Sequence, residues 1–305
     1  MKNVTLKQFR YFEALAQHGH FGRAAEACAI TQPALSMQIK ALEEELGAAL
    51  FERNSRDIRL TSFGAEVALR TRSILQALED LEGYARASRG GSAWRLRIGV
   101  IPTIAPYLLP SLVADLTRLH DGLDLHVRET LTPKLVQELN EGRLDMAIVA
   151  LPVSEPTLTE MALFTEDFVF VRPRKDEGKP VPSREALREM RLLLLEEGHC
   201  FREQALAFCN KNAHAKPRDL LDASSLSTLV QMVEAGLGVT LIPEIAIALE
   251  TRSAAVSIAR FAKPRPTRTI GMVWRKTSPL AARFTEIAEV VGKSVAALQI
   301  QRPAA

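Results

Sequence analysis

The residues best suited to chemistry in this 305-residue chain are three cysteines, Cys28, Cys200 and Cys209. Two of them lie nine positions apart in the stretch Glu197-Gly198-His199-Cys200-Phe201-Arg202, which runs on to Phe208-Cys209. Such a pair can be buried apolar residues, metal ligands or redox groups. Three cysteines are too few for a secreted disulfide scaffold. His199, Cys200, Cys209 and His214 could supply four metal ligands. However, the chain has no Cys-x-x-Cys or His-x₃₋₅-His spacing, so no metal site is expected. Gly198 opens a turn and Phe201–Asn210 reads as a helix, which puts Cys200 near a helix N-terminus. There the unpaired N–H groups and the helix dipole favour a thiolate. Arg202 adds a positive charge nearby, and His199 can donate a hydrogen bond. Cys28, inside Ala24–Ala29 of a short helix, reads as core packing.

Ahead of this segment the chain is helical for about ninety residues. Phe9, Phe12, Leu15 and Ala16 share one face of a first helix, Gly19 and Gly22 interrupt it, and Arg23–Cys28 forms a short second one. Thr31 is a good N-cap for a third helix, with Pro33 tolerated in its first turn. Leu35, Ile39, Leu42 and Leu46 form the buried stripe of that helix, and Gly47 ends it. Phe51–Thr61 suits a hairpin, which completes a winged helix-turn-helix over residues 1–62. From Ser62 a long helix runs to about Arg89. Val67, Thr71, Ile74, Leu78, Leu81 and Ala85 make a heptad seam along it, which predicts a linker and dimerisation helix over 63–92. Ser88-Arg89-Gly90-Gly91-Ser92 is a linker by composition.

Beyond residue 93 strands and helices alternate. Strand candidates are Leu96–Ile101, Leu123–Glu129, Met146–Ala150, Phe168–Val171, Leu192–Leu195, Val239–Ile242, Val256–Phe261 and Ile270–Trp274. This predicts an α/β domain over 93–300 with largely parallel sheets. Thr103 follows the first strand and Thr132 the second. Strand C-terminal ends are where open α/β sheets bind ligands, so their hydroxyls could orient a substrate there. Each could equally cap the helix that follows. The 47% apolar and 25% charged composition is that of a globular protein. A net charge of +3 is too small to decide for or against nucleic acid. No apolar stretch is long enough for a membrane helix, and no leader pattern opens the chain, so a cytoplasmic location without membrane contact is expected.

On the third helix Gln32, Pro33, Ser36, Met37 and Lys40 lie opposite the apolar stripe, where Gln and Ser can read base edges and Pro and Met can touch thymine methyls. Arg53, Arg56 and Arg59 on the wing would meet phosphates. The runs Phe21-Gly22-Arg23-Ala24-Ala25, Thr31-Gln32-Pro33-Ala34-Leu35-Ser36, Leu50-Phe51-Glu52-Arg53 and Leu60-Thr61-Ser62-Phe63-Gly64 resemble the LysR-type transcriptional regulators. The likeness extends to Leu96–Leu298, which is similar to that family's two-lobed, periplasmic-binding-protein-like α/β effector domain. It implies lobe I at 93–166 plus 269–300 and lobe II at 167–268. A regulator binding double-stranded promoter DNA as a dimer of dimers is implied too, with RNA polymerase a further partner. Thr31, Gln32, Pro33, Ser36, Met37, Arg53 and Arg56 would contact DNA.

The Gly198–Cys209 stretch, with a basic residue two positions after the first cysteine, resembles the redox switch of the family's hydrogen-peroxide-sensing branch. That resemblance makes hydrogen peroxide the effector, Cys200 the peroxidatic residue and Cys209 the resolving one. Thr103, Thr132, His199 and Arg202 would complete the peroxide pocket. A sulfenic acid formed at Cys200 is trapped by the second thiol as a disulfide, and a thiol reductant of glutaredoxin or thioredoxin type resets it. Nine helical residues span about 13.5 Å, whereas a disulfide needs Cα atoms within about 7 Å. The bond therefore requires the 200–209 segment to unravel, an order–disorder switch. Some members of the branch carry a histidine shortly before the Ala223-Ser224-Ser225-Leu226 segment; here Leu220-Leu221-Asp222 stands in its place. No cofactor is expected. The runner-up is a LysR-type regulator with a metabolite in the inter-lobe cleft. A thiol peroxidase or a free effector-binding protein would leave residues 1–62 without a purpose, so the chain is not expected to be an enzyme.

Overall fold

The computed structural model describes residues 4–52, 58–88, 95–209 and 221–300. The chain divides into two compact units, residues 1–91 and 92–305.

In the first unit, helix α1 (Leu6–His18) starts with a reciprocal capping box between Thr5 and Gln8. Helix α2 (Phe21–Ala27) follows, then α3 (Gln32–Leu46), whose N-cap Thr31 accepts the Ala34 N–H with Pro33 in the first turn. Phe12, Leu15, Ala24, Leu35, Ile39 and Leu42 are buried together as the centre of this unit. Strands β1 (Phe51–Glu52) and β2 (Arg59–Leu60) pair antiparallel, Phe51 opposite Leu60. The buried carboxylate of Glu43 accepts the N–H groups of Leu50 and Phe51 at 2.8 and 3.4 Å, tying α3 to the hairpin. Helix α4 (Ser62–Ser88) begins where Thr61 accepts the Gly64 N–H at 2.9 Å and donates to the Ala49 carbonyl at 2.8 Å. A Cβ on Gly64 would stand 2.1 Å from the Leu50 carbonyl oxygen, so only glycine lets α4 cross the chain so closely. Along the expected heptad seam Thr71 is buried, while Ile74 and Leu81 are 42% and 61% exposed.

The second unit opens with β3 (Arg95–Val100), α5 (Ala105–Leu119), β4 (Asp124–Glu129), α6 (Thr132–Asn140) and β5 (Met146–Leu151). Then come the long β6 (Leu158–Pro173), α7 (Arg184–Glu189), β7 (Leu193–Leu195), α8 (Cys200–Cys209), β8 (Leu221–Ala223) and α9 (Leu226–Glu234). The unit ends with β9 (Thr240–Pro243), α10 (Ile247–Glu250), β10 (Val256–Arg260), β11 (Thr267–Arg275) and α11 (Ala281–Ile300). One sheet runs β10-β6-β11-β5-β3-β4, with β9 also on β6, and a second small sheet pairs β7 with β8.

The expectation of largely parallel sheets is corrected. Only β3–β4, β3–β5 and β7–β8 pair parallel among the named strands of this unit, whereas β6 and β11 pair antiparallel with each other and with their other neighbours. The reason is the 16-residue β6. Its first half, Leu158–Asp167, is mostly half-buried, and its one apolar run, Met161–Phe164, is flanked by Thr159-Glu160 and Thr165-Glu166-Asp167, so the strand pattern is plain only over Phe168–Val171. Glu166 and Arg268 face each other in the β6–β11 ladder, at the positions assigned to the boundaries of the lobes.

Candidate functional site

Three loops following strand ends converge on Cys200, the first residue of α8. Ile101, Pro102 and Thr103 come from the end of β3, Leu131 and Thr132 from the end of β4, and Gly198 and His199 from the β7–α8 turn. With Cys200 they line a pocket of about 170 Å³, open solvent at its mouth included. Gly198 has φ +94°, and a Cβ there would also meet Leu131 Cδ1 at 2.9 Å, so glycine is required for both reasons. Thr103, Thr132, His199 and Cys200 thus line one pocket. Neither threonine caps its helix: α5 and α6 start after Ile104 and Leu131 with no side-chain cap bond.

The two hydroxyls differ. Thr103 is buried, and its Oγ1 accepts from Arg268 Nη1 at 2.8 Å while its carbonyl accepts from Nη2 at 3.0 Å. Thr132 Oγ1 is buried and has no hydrogen-bond partner. A buried hydroxyl left unpaired is costly, and its natural complement is a small polar molecule in the pocket. Burial pushes the His199 imidazole below its usual pKa, against a smaller opposing pull from Glu196. A neutral imidazole carries one donor and one acceptor nitrogen.

Arg268 and Glu166 are the residues sequence reasoning missed. The guanidinium is fully buried, its Nε donates to Glu166 Oε1 at 2.9 Å, and Glu166 Oε2 accepts the Ile245 N–H at 2.8 Å. The Arg268 guanidinium carbon also lies 5.4 Å from the ring centroid of Phe201, the neighbour of Cys200. The two partners are 102 positions apart, and only the β6–β11 register places them together. Farther along, Tyr107 donates to Glu250 at 2.7 Å and Ser227 to the other oxygen of that carboxylate at 2.6 Å. Burial and the Glu250 carboxylate push the Tyr107 phenol far above its usual range.

Arg202 is not among the residues lining the pocket. Its Nη1 donates to the Leu195 carbonyl at 2.6 Å and to Asp222 at 2.5 Å, so it fastens α8 to the β7–β8 sheet. Asp222 lies on β8, just before the Ala223-Ser224-Ser225-Leu226 segment. Cys209 is fully buried at the far end of α8, and burial pushes its thiol up to about 11. Both cysteines are free thiols, as is Cys28, half-buried at the end of α2. His214 lies outside the described residues.

On the first unit Thr31, Gln32, Pro33, Ser36 and Met37 are all exposed, with Met37 at 66%, on the face of α3 opposite Leu35, Ile39 and Leu42. Arg53 and Arg56 lie outside the described residues. A helix presented this way beside a two-stranded wing is the geometry of major-groove readers.

Residues 6–65 match the bacterial regulatory helix-turn-helix proteins of the lysR family, and residues 89–296 match the LysR substrate binding domain. The chain belongs to the LysR family of DNA-binding transcriptional regulators. It is 42% identical over 306 residues to a probable hydrogen peroxide-inducible genes activator of Streptomyces viridosporus, covering 98% of this chain and 97% of that one. It is 38% identical to the DNA-binding transcriptional dual regulator OxyR of Escherichia coli K12, covering 94% and 95%. Among solved structures, a full-length OxyR from Pseudomonas aeruginosa with cysteine replaced by aspartate superposes with a TM-score of 0.78 at 35% identity, covering 95% of both chains. A peroxide-bound cysteine-to-serine mutant of Corynebacterium glutamicum OxyR gives 0.66 at 34% identity, covering 97% and 94%. Within the family the chain falls in the OxyR branch. Among the described residues no helix is long and apolar enough to cross a membrane.

Proposed function

We propose that this chain is a hydrogen-peroxide-responsive transcriptional activator in which Cys200 is the peroxidatic residue and Cys209 the resolving one. The observation that carries the reading is the small pocket at Cys200, lined in part by Thr132, whose buried hydroxyl has no hydrogen-bond partner. The space inside the pocket admits little more than a water-sized molecule, which fits a peroxide better than a metabolite. The Cys200 thiolate attacks one peroxide oxygen, the O–O bond breaks, and the departing hydroxide takes up a proton as water. This leaves a sulfenic acid at Cys200. Thr132 and Thr103 orient the peroxide, His199 hydrogen-bonds it, and Arg268 holds Thr103 in place. Arg202 acts on α8 rather than on the peroxide. The Cys209 thiol then displaces water from the sulfenic acid, giving a disulfide and refolding residues 200–209. Reset takes two electrons from a thiol reductant of glutaredoxin or thioredoxin type.

In this reading residues 1–62 bind promoter DNA through Thr31, Gln32, Pro33, Ser36, Met37, Arg53 and Arg56, residues 63–92 join two copies, and 93–300 sense. Its lobes are 93–166 with 269–300, and 167–268. The protein works in the cytoplasm as a dimer of dimers that engages RNA polymerase, and it is spent once per signal instead of turning over. The test is peptide mass mapping of the reduced full-length chain after one equivalent of hydrogen peroxide. A rapid Cys200–Cys209 cross-link that thioredoxin or glutathione reverses is the expected result. Unmodified Cys200 would refute the reading in favour of a metabolite-responsive regulator.

A further inference from the structure

The far end of α8 is held by a helix that plays no part in the pocket. Arg188 on α7 donates from Nε to the backbone carbonyl of Cys209 at 2.8 Å. Arg184, one turn earlier on α7, places its guanidinium carbon 4.5 Å from the ring centroid of Phe208. That ring in turn packs edge-on against Phe261, with centroids 4.9 Å apart. The last carbonyls of a helix lack intrahelical partners and carry the negative end of its dipole, so a guanidinium there secures the final turn. Neither arginine lines the pocket at Cys200.

Among the described residues the start of α8 has more fastenings than its far end. Phe201 packs at a tilt against Phe168 with centroids 4.8 Å apart and lies under Arg268, while Arg202 makes two charge-assisted bonds, to Leu195 and Asp222. The resolving end has one charge-assisted bond and one cation–π contact from α7. A disulfide cannot form until one end lets go, since about 13.5 Å must shrink to under about 7 Å.

We propose that Arg184 and Arg188 are positioning residues that latch the resolving end of α8, so that release of α7 sets how long the Cys200 sulfenic acid persists. This rests on the Cys200–Cys209 reading above. The step they govern is Cys209–SH plus Cys200–SOH giving the disulfide plus water: the S–H and S–OH bonds break and the S–S bond forms. The latch makes the switch a two-stage device, fast at the peroxide and slower at the refolding. It also keeps Cys209 from reacting while the site is reduced.

The experiment follows both stages in the full-length protein after one equivalent of hydrogen peroxide, with timed dimedone quenching for sulfenic acid and non-reducing peptide mapping for the cross-link. Arg188→Gln and Arg184→Gln are expected to form sulfenic acid within twofold of the wild-type rate and the disulfide about tenfold faster. Arg188→Lys, which restores a charged donor, should fall between. Sulfenic acid formation at the normal rate certifies that the pocket is folded in each variant. An unchanged or slower disulfide rate in both glutamine variants would overturn the latch, slowing being the mark of arginines that merely assist the thiol. Loss of sulfenic acid formation in both would overturn it as well, because the arginines would then serve the pocket itself. Failure of the parent reading looks different: the wild-type chain would give no cross-link at all.

Discussion

Valine at Thr132 and valine at Thr103 are the same substitution in two loops of one pocket, and the structure assigns them opposite signs. Thr132 Oγ1 is buried with no partner, and an unpaired buried hydroxyl costs roughly 1–3 kcal/mol. Thr132→Val removes that group at constant shape and should stabilise the resting protein by about 1 kcal/mol, roughly 2–4 °C in Tm for a domain of this size. Thr103 Oγ1 instead accepts from the buried Arg268 guanidinium at 2.8 Å. Thr103→Val strands a charged N–H, and with the carbonyl bond to Nη2 retained the loss should be about 2 kcal/mol, or roughly 4–8 °C. Calorimetric unfolding of the reduced full-length chain measures both. The same samples, mixed with peroxide and quenched with dimedone, measure the chemical step. Thr132→Val should slow sulfenic acid formation about tenfold, the equivalent of about 1.4 kcal/mol of lost transition-state contact. The reasoning is refuted if both valines shift Tm in the same direction, or if Thr132→Val is stabilised yet reacts at the wild-type rate.

Arg268→Met leaves the buried Glu166 carboxylate without its cation and should destabilise the sensing unit by about 3–5 kcal/mol in urea unfolding; a change under about 1 kcal/mol would show that the pair is dispensable. Thr71 is 1% exposed on α4 with its hydroxyl unpartnered, so Thr71→Val should raise the melting of the DNA-binding unit, worth about 1 kcal/mol by circular dichroism. Burial holds the folded-state pKa of His199 below its unfolded value of about 6.5. Its contribution to stability is therefore fully present above that pH and lost as pH falls from there through the folded value. His199→Gln should flatten the acid limb of the stability profile, and an unaltered limb would contradict the assignment. The Cys209 thiol, pushed up to about 11, should resist iodoacetamide at pH 8 in the reduced protein while Cys200 is alkylated; equal labelling of the two would count against a buried, latched Cys209.

Much of the site could be read along the chain because it is local. Gly198-His199-Cys200 is a turn into a helix, and the sequence-based helix over 201–210 lies within one residue of α8 at each end. Thr103 and Thr132 each follow a strand whose apolar pattern marks its end. In a sheet with β3 between β4 and β5, those ends meet on one side. The recognition helix was legible for the same reason: Thr31, Pro33 and the Leu35, Ile39 and Leu42 stripe specify its start and its buried face within a few turns.

What the amino-acid order determined by itself is therefore local: the helices and their caps, the glycine at position 198, the cysteine at a helix start and the family to which the motifs point. The tertiary structure decided what depends on register between distant segments. The antiparallel pairing of β6 with β11 puts Arg268 opposite Glu166, and from there the guanidinium reaches Thr103. The turn of Arg202 toward Asp222 and the placing of Arg188 on the Cys209 carbonyl are likewise products of packing. The physical reason is that a charge's partner is chosen by distance and burial, and neither is encoded at any fixed spacing along the chain.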